Sequence, residues 1–281
     1  MAETGIRKDK VNMSGKRKEK ASVLSQREIA PDIYDMWIAT DMATEAKAGQ
    51  FIGVYTNNPA NLLPRPISIC EVDRERKALR LVYRIAGKGT AEFAGWQPGQ
   101  EVLLLGVLGN GFPINEGKGK KAVLMGGGIG IPPMLQLARE LSEAGSDVTV
   151  ITGYRDSRLF LKEDLEKYGK VYVATEDGSV GTKGNVLTVM EKEQIDADVI
   201  MACGPMPMLR AIKAYAREKQ IAAYISLEER MACGVGACLG CVCKTTHKDA
   251  HSHVNNARIC TDGPVFDARA VSYTHLRAHE T

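Results

Sequence analysis

Residues 233–243 read CGVGACLGCVC, and one further cysteine follows at Cys260. Cys233, Cys238 and Cys241 have the spacing C-x4-C-x2-C, which is typical of plant-type 2Fe–2S proteins, where a distant fourth cysteine completes the ligand set. The glycines between them suit a tight loop, because glycine reaches backbone angles that a Cβ forbids. The spacing therefore predicts a 2Fe–2S cluster whose four ligands are Cys233, Cys238, Cys241 and Cys260.

A zinc site is the alternative, because Cys238 and Cys241 also form the C-x2-C pair of many zinc-binding proteins. Zinc knuckles usually supply a second matching pair, and the sequence contains none. The remaining cysteine of the loop, Cys243, has no place in the plant-type spacing and is interpreted as a spare. The spacing thus favours iron and sulfur over zinc.

The composition sets the class of protein. The chain has 281 residues, 44% hydrophobic and 25% charged, which is enough for two compact soluble domains and a small third. Much of the excess behind the net charge of +3 lies in the first twenty residues, so the body lacks the basic surface of a nucleic-acid-binding protein. No segment approaches the roughly 20 apolar residues of a membrane span.

The cysteines also indicate the compartment. Five of the seven follow position 232, which is not the distribution of a secreted disulfide framework. This distribution predicts a cofactor in a reducing compartment, and hence a cytoplasmic protein.

The two ends of the chain carry no fold signal. Residues 1–20 are polar and basic, and they are predicted to be a disordered leader, with a tether to a membrane or partner as the alternative and Met13 as a possible start. Residues 270–281 form an atypical tail. Its His275 and His279, four positions apart, are interpreted as part of a ragged terminus rather than as a metal-binding pair.

Residues 21–113 predict an antiparallel β-barrel, because short apolar runs alternate with turn residues and no long helical period intervenes. Two polar stretches lie on it. Arg65-Pro66-Ile67-Ser68 opens a strand with a planar guanidinium that suits a pyrophosphate. Gly87-Lys88-Gly89-Thr90 offers N–H groups and a cation to phosphate, although such a tetrapeptide alone is more often a simple turn.

Residues 114–220 predict a parallel, doubly wound sheet, because strands alternate with helices, and such a sheet binds its ligand at the carboxyl ends of its strands. Gly126-Gly127-Gly128-Ile129-Gly130 lies between a strand and a proline-initiated helix. Cys203-Gly204-Pro205 follows a later strand in the same way. The glycine run is not the usual G-x-G-x-x-G motif, so alone it is weak evidence for a dinucleotide. The alternative for Cys203 is a small apolar residue buried after a strand, because free cysteine often has that role.

These stretches, taken in order, resemble the signatures of the ferredoxin–NADP reductase superfamily. The cysteine loop, with residues 229–232 before it and residues 260–266 after it, resembles a narrower family, the iron–sulfur electron-transfer subunits of type B dihydroorotate dehydrogenase. The resemblance covers about residues 18–269. It implies an α+β multidomain fold with an antiparallel β-barrel flavin domain, an α/β parallel-sheet nucleotide domain and a small 2Fe–2S domain at residues 221–269, which is too short for a core without a metal centre.

The resemblance also implies roles for residues. Arg65 would hold the FAD pyrophosphate, Ser68 would lie near the flavin ring, and Gly128 and Gly130 would approach the NAD pyrophosphate. Cys203 would lie near the nicotinamide. No catalytic residue is assigned. The cofactor-binding residues predicted in this way are Arg65, Pro66, Ile67, Ser68, Gly87, Lys88, Gly89, Thr90, Gly126, Gly127, Gly128, Ile129, Gly130, Cys203, Gly204 and Pro205.

Two segments depart from the family pattern. The tail after Arg269 does not resemble the usual ending. Residues 244–257, between the third and fourth predicted ligands, are longer than expected, which affects the loop geometry but not the ligand set.

The function implied by the resemblance is an oxidoreductase subunit of de novo pyrimidine (UMP) biosynthesis. A separate FMN-containing catalytic subunit would oxidise dihydroorotate, and this chain would pass the electrons through 2Fe–2S and FAD to NAD+, in a heterotetramer with two copies of each subunit. The order of cluster, FAD and NAD suits electron transfer, because the cluster takes single electrons, NAD takes a pair as hydride, and a flavin exchanges electrons singly or in pairs. NADP stays open as the nucleotide, because Arg155 and Arg158 suit a 2′-phosphate whereas Asp156 suits a free ribose.

Two other interpretations remain. The flavin and iron–sulfur subunit of an NADPH–ferredoxin oxidoreductase, a sulfide dehydrogenase or a hydrogenase would share every motif and differ only in its partner. A non-catalytic iron–sulfur sensor or scaffold would keep the folds without the activity.

Overall fold

The computed structural model describes residues 16–246, 248 and 253–272. Residues 1–15, most of the predicted leader, lie outside the described residues, as do residues 273–281, which include His275 and His279. No helix in the described part of the chain combines the length and the apolar character needed to span a membrane.

Six antiparallel strands close into a barrel in the order β1-β2-β5-β4-β3-β6. Met36, Ile38, Leu79 and Leu81 are completely buried in its core. The predicted barrel is confirmed. Its strands are β1 (Arg17–Ala30), β2 (Ile33–Ala39), β3 (Phe51–Val54), β4 (Arg65–Asp73), β5 (Ala78–Arg84) and β6 (Glu101–Leu108).

The barrel begins earlier than predicted. Arg17–Lys20 pairs with residues 103–106 of β6, so the prediction of a disordered leader is wrong for these four residues. The pairing gives partners to backbone groups of β6 that would otherwise form an open edge. Arg17 also makes ion pairs with Glu19 and Glu45. A charged, outward-facing strand has the same composition as a disordered arm, which is why composition missed it.

The second sheet has the order β10-β9-β8-β7-β11-β12-β15, and its strands are parallel except for β15. The chain places β8, β9 and β10 on one side of β7 and then crosses to add β11 and β12 on the other. The order therefore reverses between β7 and β11, where ligands bind in such sheets. The strands are β7 (Lys121–Gly127), β8 (Asp147–Tyr154), β9 (Lys170–Thr175), β10 (Thr182–Lys183), β11 (Val199–Cys203), β12 (Ala222–Ser226) and β15 (Val265–Asp267).

The parallel sheet confirms the predicted nucleotide-type fold, and helix α3 connects it to the barrel by packing against β4. The buried Gln136 side chain accepts a hydrogen bond from the Val72 N–H at 2.9 Å. The helices are α1 (Lys88–Ala94), α2 (Ile114–Gly117), α3 (Pro132–Glu143), α4 (Lys162–Glu166), α5 (Val186–Lys192) and α6 (Met206–Lys219).

The cysteine region folds against the other two parts of the molecule. A small antiparallel sheet of β13 (Val242–Lys244) and β14 (Asn256–Arg258) lies within it. Its buried Cys241, Ile259 and Cys260 belong to a hydrophobic core that also contains residues of the barrel and of the parallel sheet. Because β12 and β15 lie in the parallel sheet, that sheet extends beyond residue 220 into the segment predicted to form the cluster domain.

Candidate functional site

The two polar stretches of the barrel meet at one place. Arg65 begins β4 and Gly87 directly precedes α1. The two elements are so close that a Cβ on Gly89 would lie 2.7 Å from the Arg65 Cζ. The Thr90 hydroxyl shapes the loop by accepting hydrogen bonds from the N–H groups of Ala86 (2.8 Å) and Gly87 (3.2 Å). The result is a cradle that combines a guanidinium with the start of a helix.

The remaining predicted residues of the barrel lie beside this cradle. Lys88 is exposed at the start of α1, and Pro66 is exposed on β4, whereas Ile67 and Ser68 are half-buried. Such a surface, with one cation at each end and little bulk between, suits a phosphate-bearing ligand. A side chain on Gly89 would displace the Arg65 guanidinium from the start of α1. Glycine at this position keeps the cation there, so the residues present fit the phosphates of FAD.

The two elbows of the parallel sheet lie side by side at the reversal of strand order. Gly126 on β7 pairs with Cys203 on β11. A Cβ on Gly130 would lie 2.5 Å from the Cys203 carbonyl carbon and 2.7 Å from the Gly204 Cα. Only glycine at this position allows the two elbows to approach so closely.

Of the other glycines in this run, Gly127 is packed against its neighbours and Gly128 faces open space. A Cβ on Gly127 would lie 3.0 Å from the Pro205 Cδ, so this glycine packs against the second elbow. Gly128 has a φ of +52° and no atom within 4 Å of its ideal Cβ position. Ile129 beside it is half-buried. The run therefore opens outward at Gly128, in front of α3, where N–H groups and the helix dipole suit an anion such as the NAD pyrophosphate.

The cysteine loop points backbone N–H groups at sulfur. The N–H groups of Val235 and Cys238 each donate to the Cys233 Sγ at 3.4 Å, and Gly240 donates to the Cys238 Sγ at 3.4 Å. Burial raises the pKa of Cys233, but these N–H groups oppose it and lower the pKa to about 6 overall. The loop thus stabilises a thiolate, which is the form that binds metal.

The four predicted ligands form two pairs. The Cys238 N–H donates to the Cys233 Sγ at 3.4 Å, and the N–H of Ile259, next to Cys260, donates to the Cys241 carbonyl at 2.8 Å. Burial and the neighbouring Cys241 raise the pKa of Cys260 to about 12. The fifth cysteine, Cys243, is buried, and burial raises its pKa to about 11.

The two pairs formed by the four predicted ligands match the ligand set of a cluster with two irons. Within residues 16–246, 248 and 253–272, no three His, Cys, Asp or Glu side chains converge on a single point. The spacing of the four cysteines is that of proteins in which two irons share four thiolates. The donor set and its inward N–H groups therefore fit a 2Fe–2S cluster.

The cysteine loop rests on the barrel. A Cβ on Gly234 would lie 3.1 Å from the Leu108 Cδ1 on β6. Leu108 lies opposite Phe51 on β3, and Phe51 lies opposite Ser68 on β4. Two strand spacings, about 10 Å, thus separate the strand beneath the loop from the strand of the phosphate cradle.

Sequence reasoning missed two residues beside the second elbow. Ser226 ends β12 opposite Cys203, and Glu228 follows two residues later. Burial and the negative charge of Glu228 raise the pKa of Cys203 to about 12, so the thiol stays neutral. Ser226 and Glu228 lie at and just beyond the carboxyl end of β12. The rule that ligands bind at the carboxyl ends of parallel strands would have found them had β12 been assigned to the sheet.

Two of the residues that could distinguish NAD from NADP, Asp156 and Arg158, form an ion pair with each other. Asp156 and Arg158 follow β8, and the Asp156 carboxylate accepts hydrogen bonds from the Arg158 Nε at 2.8 and 2.9 Å. This guanidinium lowers the pKa of Asp156 to about 2. An ionised carboxylate therefore lies at the end of the second strand of the parallel sheet, and Arg158 is held against it.

Comparison with known proteins also separates an iron–sulfur domain from a nucleotide-binding domain. Residues 228–272 match the family described as the iron–sulfur cluster binding domain of dihydroorotate dehydrogenase B, and residues 124–214 match the oxidoreductase NAD-binding domain. A solved structure of an NADH-dependent reduced ferredoxin–NADP oxidoreductase is similar over 90% of this chain and 89% of that chain, with a TM-score of 0.80 and 27% identity. A ferredoxin–NADP+ reductase from Neisseria gonorrhoeae shares the fold, with a TM-score of 0.63 and 19% identity over 76% of this chain and 94% of that one.

Relatives of known name cover nearly the whole chain. The dihydroorotate dehydrogenase B (NAD(+)) electron transfer subunit of Shouchella clausii is 42% identical over 89% of this chain and 96% of its own length. That of Streptococcus mutans is also 42% identical, with the same coverage of both chains. The fold and the cysteine loop define an oxidoreductase of ferredoxin–NADP reductase architecture with an added iron–sulfur domain. The chain belongs to the family of electron transfer subunits of dihydroorotate dehydrogenase B (NAD(+)).

Proposed function

We propose that this chain carries electrons from a partner subunit, through a 2Fe–2S cluster and FAD, to NAD+. In the net reaction dihydroorotate loses two electrons and two protons, NAD+ gains a hydride, and one proton is released. The observation that carries the proposal is that the barrel contacts both of the other sites: the cysteine loop rests on Leu108, and α3 of the parallel sheet packs against β4. The family name supports dihydroorotate as the source of the electrons, and hence a place in pyrimidine synthesis.

The residues proposed to hold FAD are those of the barrel cradle. Arg65 and the N–H groups of the Gly87–Thr90 loop would bind the pyrophosphate, and Ser68, further along β4, would lie beside the flavin ring. When bound, FAD supplies a centre that exchanges electrons singly or in pairs. The chain's own part is to fix the position of this centre.

The residues proposed to hold NAD are those of the two elbows. The N–H groups around Gly128 and Gly130 would bind the pyrophosphate, and the nicotinamide would lie near Cys203. Because the pKa of Cys203 is raised to about 12, its thiol would present a neutral surface there. Asp156 favours NAD over NADP, since its carboxylate would repel a 2′-phosphate and also holds Arg158, a side chain that could otherwise bind one.

The cluster ligands proposed are Cys233 and Cys238 on one iron and Cys241 and Cys260 on the other. The backbone hydrogen bonds from Cys238 to the Cys233 Sγ and from Ile259 to the Cys241 carbonyl support this division. The N–H groups of the loop would stabilise negative charge on sulfur. Cys243 would stay a thiol, buried and outside the ligand set.

The partner proposed is an FMN-containing catalytic subunit, in a heterotetramer with two copies of each subunit. The cysteine loop offers a surface for it, because Leu239 and Val235 are 63% and 38% exposed beside the proposed ligands. Exposed apolar side chains grouped in this way are typical of an interaction surface. The cytoplasm is the compartment proposed, because each cysteine in the described part of the chain is a free thiol.

The test is a matched pair of cysteine variants in the reconstituted complex, assayed anaerobically with dihydroorotate and with NAD+ or NADP+. Cys241→Ala removes a proposed ligand and Cys243→Ala removes the buried spare two residues away. We expect Cys241→Ala to abolish NADH formation while direct dye reduction by the partner continues. Cys243→Ala should keep its cluster and its rate. Normal NADH formation by Cys241→Ala would refute the proposed path.

A second candidate is the flavin subunit of a ferredoxin-linked oxidoreductase, which is favoured by the similarity to the NADH-dependent reduced ferredoxin–NADP oxidoreductase. The two candidates differ only in the partner. Co-purification with a dihydroorotate-oxidising subunit supports the first, whereas efficient ferredoxin reduction by the isolated chain supports the second. A sensor or scaffold would contain no stoichiometric FAD and would not reduce dyes with NADH.

A further inference from the structure

One residue of the barrel connects directly to the turn that contains the fourth predicted cluster ligand. Asn110 lies two residues after the end of β6. Its side-chain amide donates hydrogen bonds to the carbonyl oxygens of Thr261 and Asp262, both at 3.1 Å. Its backbone N–H donates to the Gly263 carbonyl at 2.6 Å. Three hydrogen bonds therefore connect this residue to a segment about 150 positions away in the sequence, immediately after Cys260.

The segment that Asn110 binds is a rigid turn around Cys260. The Asp262 carboxylate accepts hydrogen bonds from the backbone N–H of Arg258 at 2.7 Å and from its guanidinium at 3.1 and 3.2 Å. The N–H of Ile259 donates to the Cys241 carbonyl at 2.8 Å. The turn thus also holds the backbone of Cys260 against that of Cys241. A shift of the turn as a whole would carry this ligand pair with it.

The other end of the connection is the barrel. Gly109, with a φ of +73°, packs so closely that a Cβ there would lie 2.8 Å from the Gly263 carbonyl oxygen and 2.9 Å from the Phe51 Cε1. Phe51 is the strand partner of both Leu108 and Ser68. Asn110 therefore connects the turn of Cys260 to the strands that lead to the FAD cradle.

The chemistry of the connection requires an amide. The two acceptors are consecutive backbone carbonyls, and one Asn amide nitrogen carries two N–H donors that reach both. Aspartate has the same size but no donor, so its carboxylate would face two carbonyl oxygens. The remaining connection would be one backbone hydrogen bond and apolar packing, which is non-directional and fixes no unique distance.

We propose that Asn110 is a positioning residue that fixes the distance between the iron–sulfur centre and the flavin and so sets the rate of electron transfer between them. The proposal rests on the proposed function. Electron transfer between two centres slows steeply as their separation grows, so a mobile turn at Cys260 lowers this rate without altering either centre. Hydride exchange with NAD would take place at the elbows of the parallel sheet, whereas Asn110 donates its hydrogen bonds to the turn after Cys260, so we expect that exchange not to depend on Asn110.

The test compares Asn110→Asp and Asn110→Ala with Asn255→Asp, which adds the same charge at an exposed position of the cluster region. Each holoprotein is mixed anaerobically with NADH. Flavin reduction is followed by stopped-flow absorbance, and cluster reduction by freeze-quench paramagnetic resonance. Hydrogen exchange of peptides covering residues 105–112 and 258–266 gives a readout that is independent of turnover.

In both Asn110 variants we expect flavin reduction within about twofold of the wild type. Cluster reduction should slow about tenfold or more, a loss typical when a hydrogen-bonded support of a metal ligand is removed. Amide exchange should quicken in both peptides, and iron content should not change. Asn255→Asp should match the wild type in every measurement.

Cluster reduction at the wild-type rate in both Asn110 variants would overturn the proposal, even if their amide exchange quickens. Loss of the cluster from both variants would also overturn it, because Asn110 would then be needed for assembly rather than for distance. If NADH fails to reduce the cluster of the wild-type protein, the proposed function itself fails, which separates the two outcomes.

Discussion

The barrel meets the rest of the molecule on two faces that differ in chemistry. Towards the parallel sheet, apolar packing that includes Cys70 and Val82 of the barrel is crossed by a charged network. The buried Arg80 joins Asp35 and Glu71 of the barrel to Asp164 of α4 at 2.9–3.1 Å. Towards the cysteine loop the contacts are apolar, with Leu105 and Leu108 beneath Gly234 and the Asn110 amide as the polar addition.

The difference matches what each face would have to do. Hydride transfer needs two rings held in one orientation, and directional hydrogen bonds and ion pairs fix orientation. Electron transfer needs a short, dry separation, which close apolar packing supplies. The comparison therefore predicts that the two faces respond differently to mutation and to pH.

The largest effect is expected at Arg80. Its side chain is 7% exposed, and Arg80→Met would leave Asp35, 3% exposed, with only the longer ion pair to the exposed Arg27 at 3.4 Å. Removing one member of a buried ion pair destabilises by about 3–5 kcal/mol. Urea unfolding of the holoprotein measures this loss. The control, Asp164→Asn, keeps the pair within the barrel and should lose about 1 kcal/mol or less, because Asp164 is partly exposed. Equal losses in the two variants would contradict a buried network centred on Arg80.

A smaller effect, independent of pH, is expected on the apolar face. Leu108 is 1% exposed beneath the cysteine loop. Leu108→Ala should lower the free energy of unfolding by about 2–5 kcal/mol through lost burial and the cavity left behind. Urea unfolding at pH 5 and at pH 8 should give the same loss, since no charge is removed. A loss that changes with pH would show that this face also depends on ionised groups.

The smallest effect is a pH dependence confined to the charged face. Burial raises the pKa of Asp164, but hydrogen bonds from Lys167 and Arg80 outweigh it, so the pKa lies below its ordinary value of 3.8. A carboxyl whose pKa is lowered by folding stabilises the protein above its unfolded pKa, and that contribution is lost as the pH falls through the folded pKa. The difference in unfolding free energy between wild type and Asp164→Asn should therefore be constant above about pH 4 and shrink below it. A difference that grows on acidification would contradict this assignment.

Local patterns in the sequence were enough to predict the barrel, the parallel sheet and the cysteine loop. The strand endings at Gly126 and Cys203 could be identified because turn chemistry is local. The contacts between distant segments could not be predicted, because nothing near Asn110 indicates a partner at Thr261, and nothing near Arg80 indicates Asp164. The strand at Arg17–Lys20 was missed for a related reason, since its pairing with β6 is long-range.

The central claim is that the cysteine loop and the flavin barrel exchange electrons. Rapid mixing of the wild-type holoprotein with NADH, followed by freeze-quench paramagnetic resonance, tests this claim most directly. The account predicts that a rhombic signal of a reduced 2Fe–2S cluster appears as the flavin absorbance bleaches. Bleaching of the flavin with no cluster signal, or zinc in place of iron at the four cysteines, would contradict it.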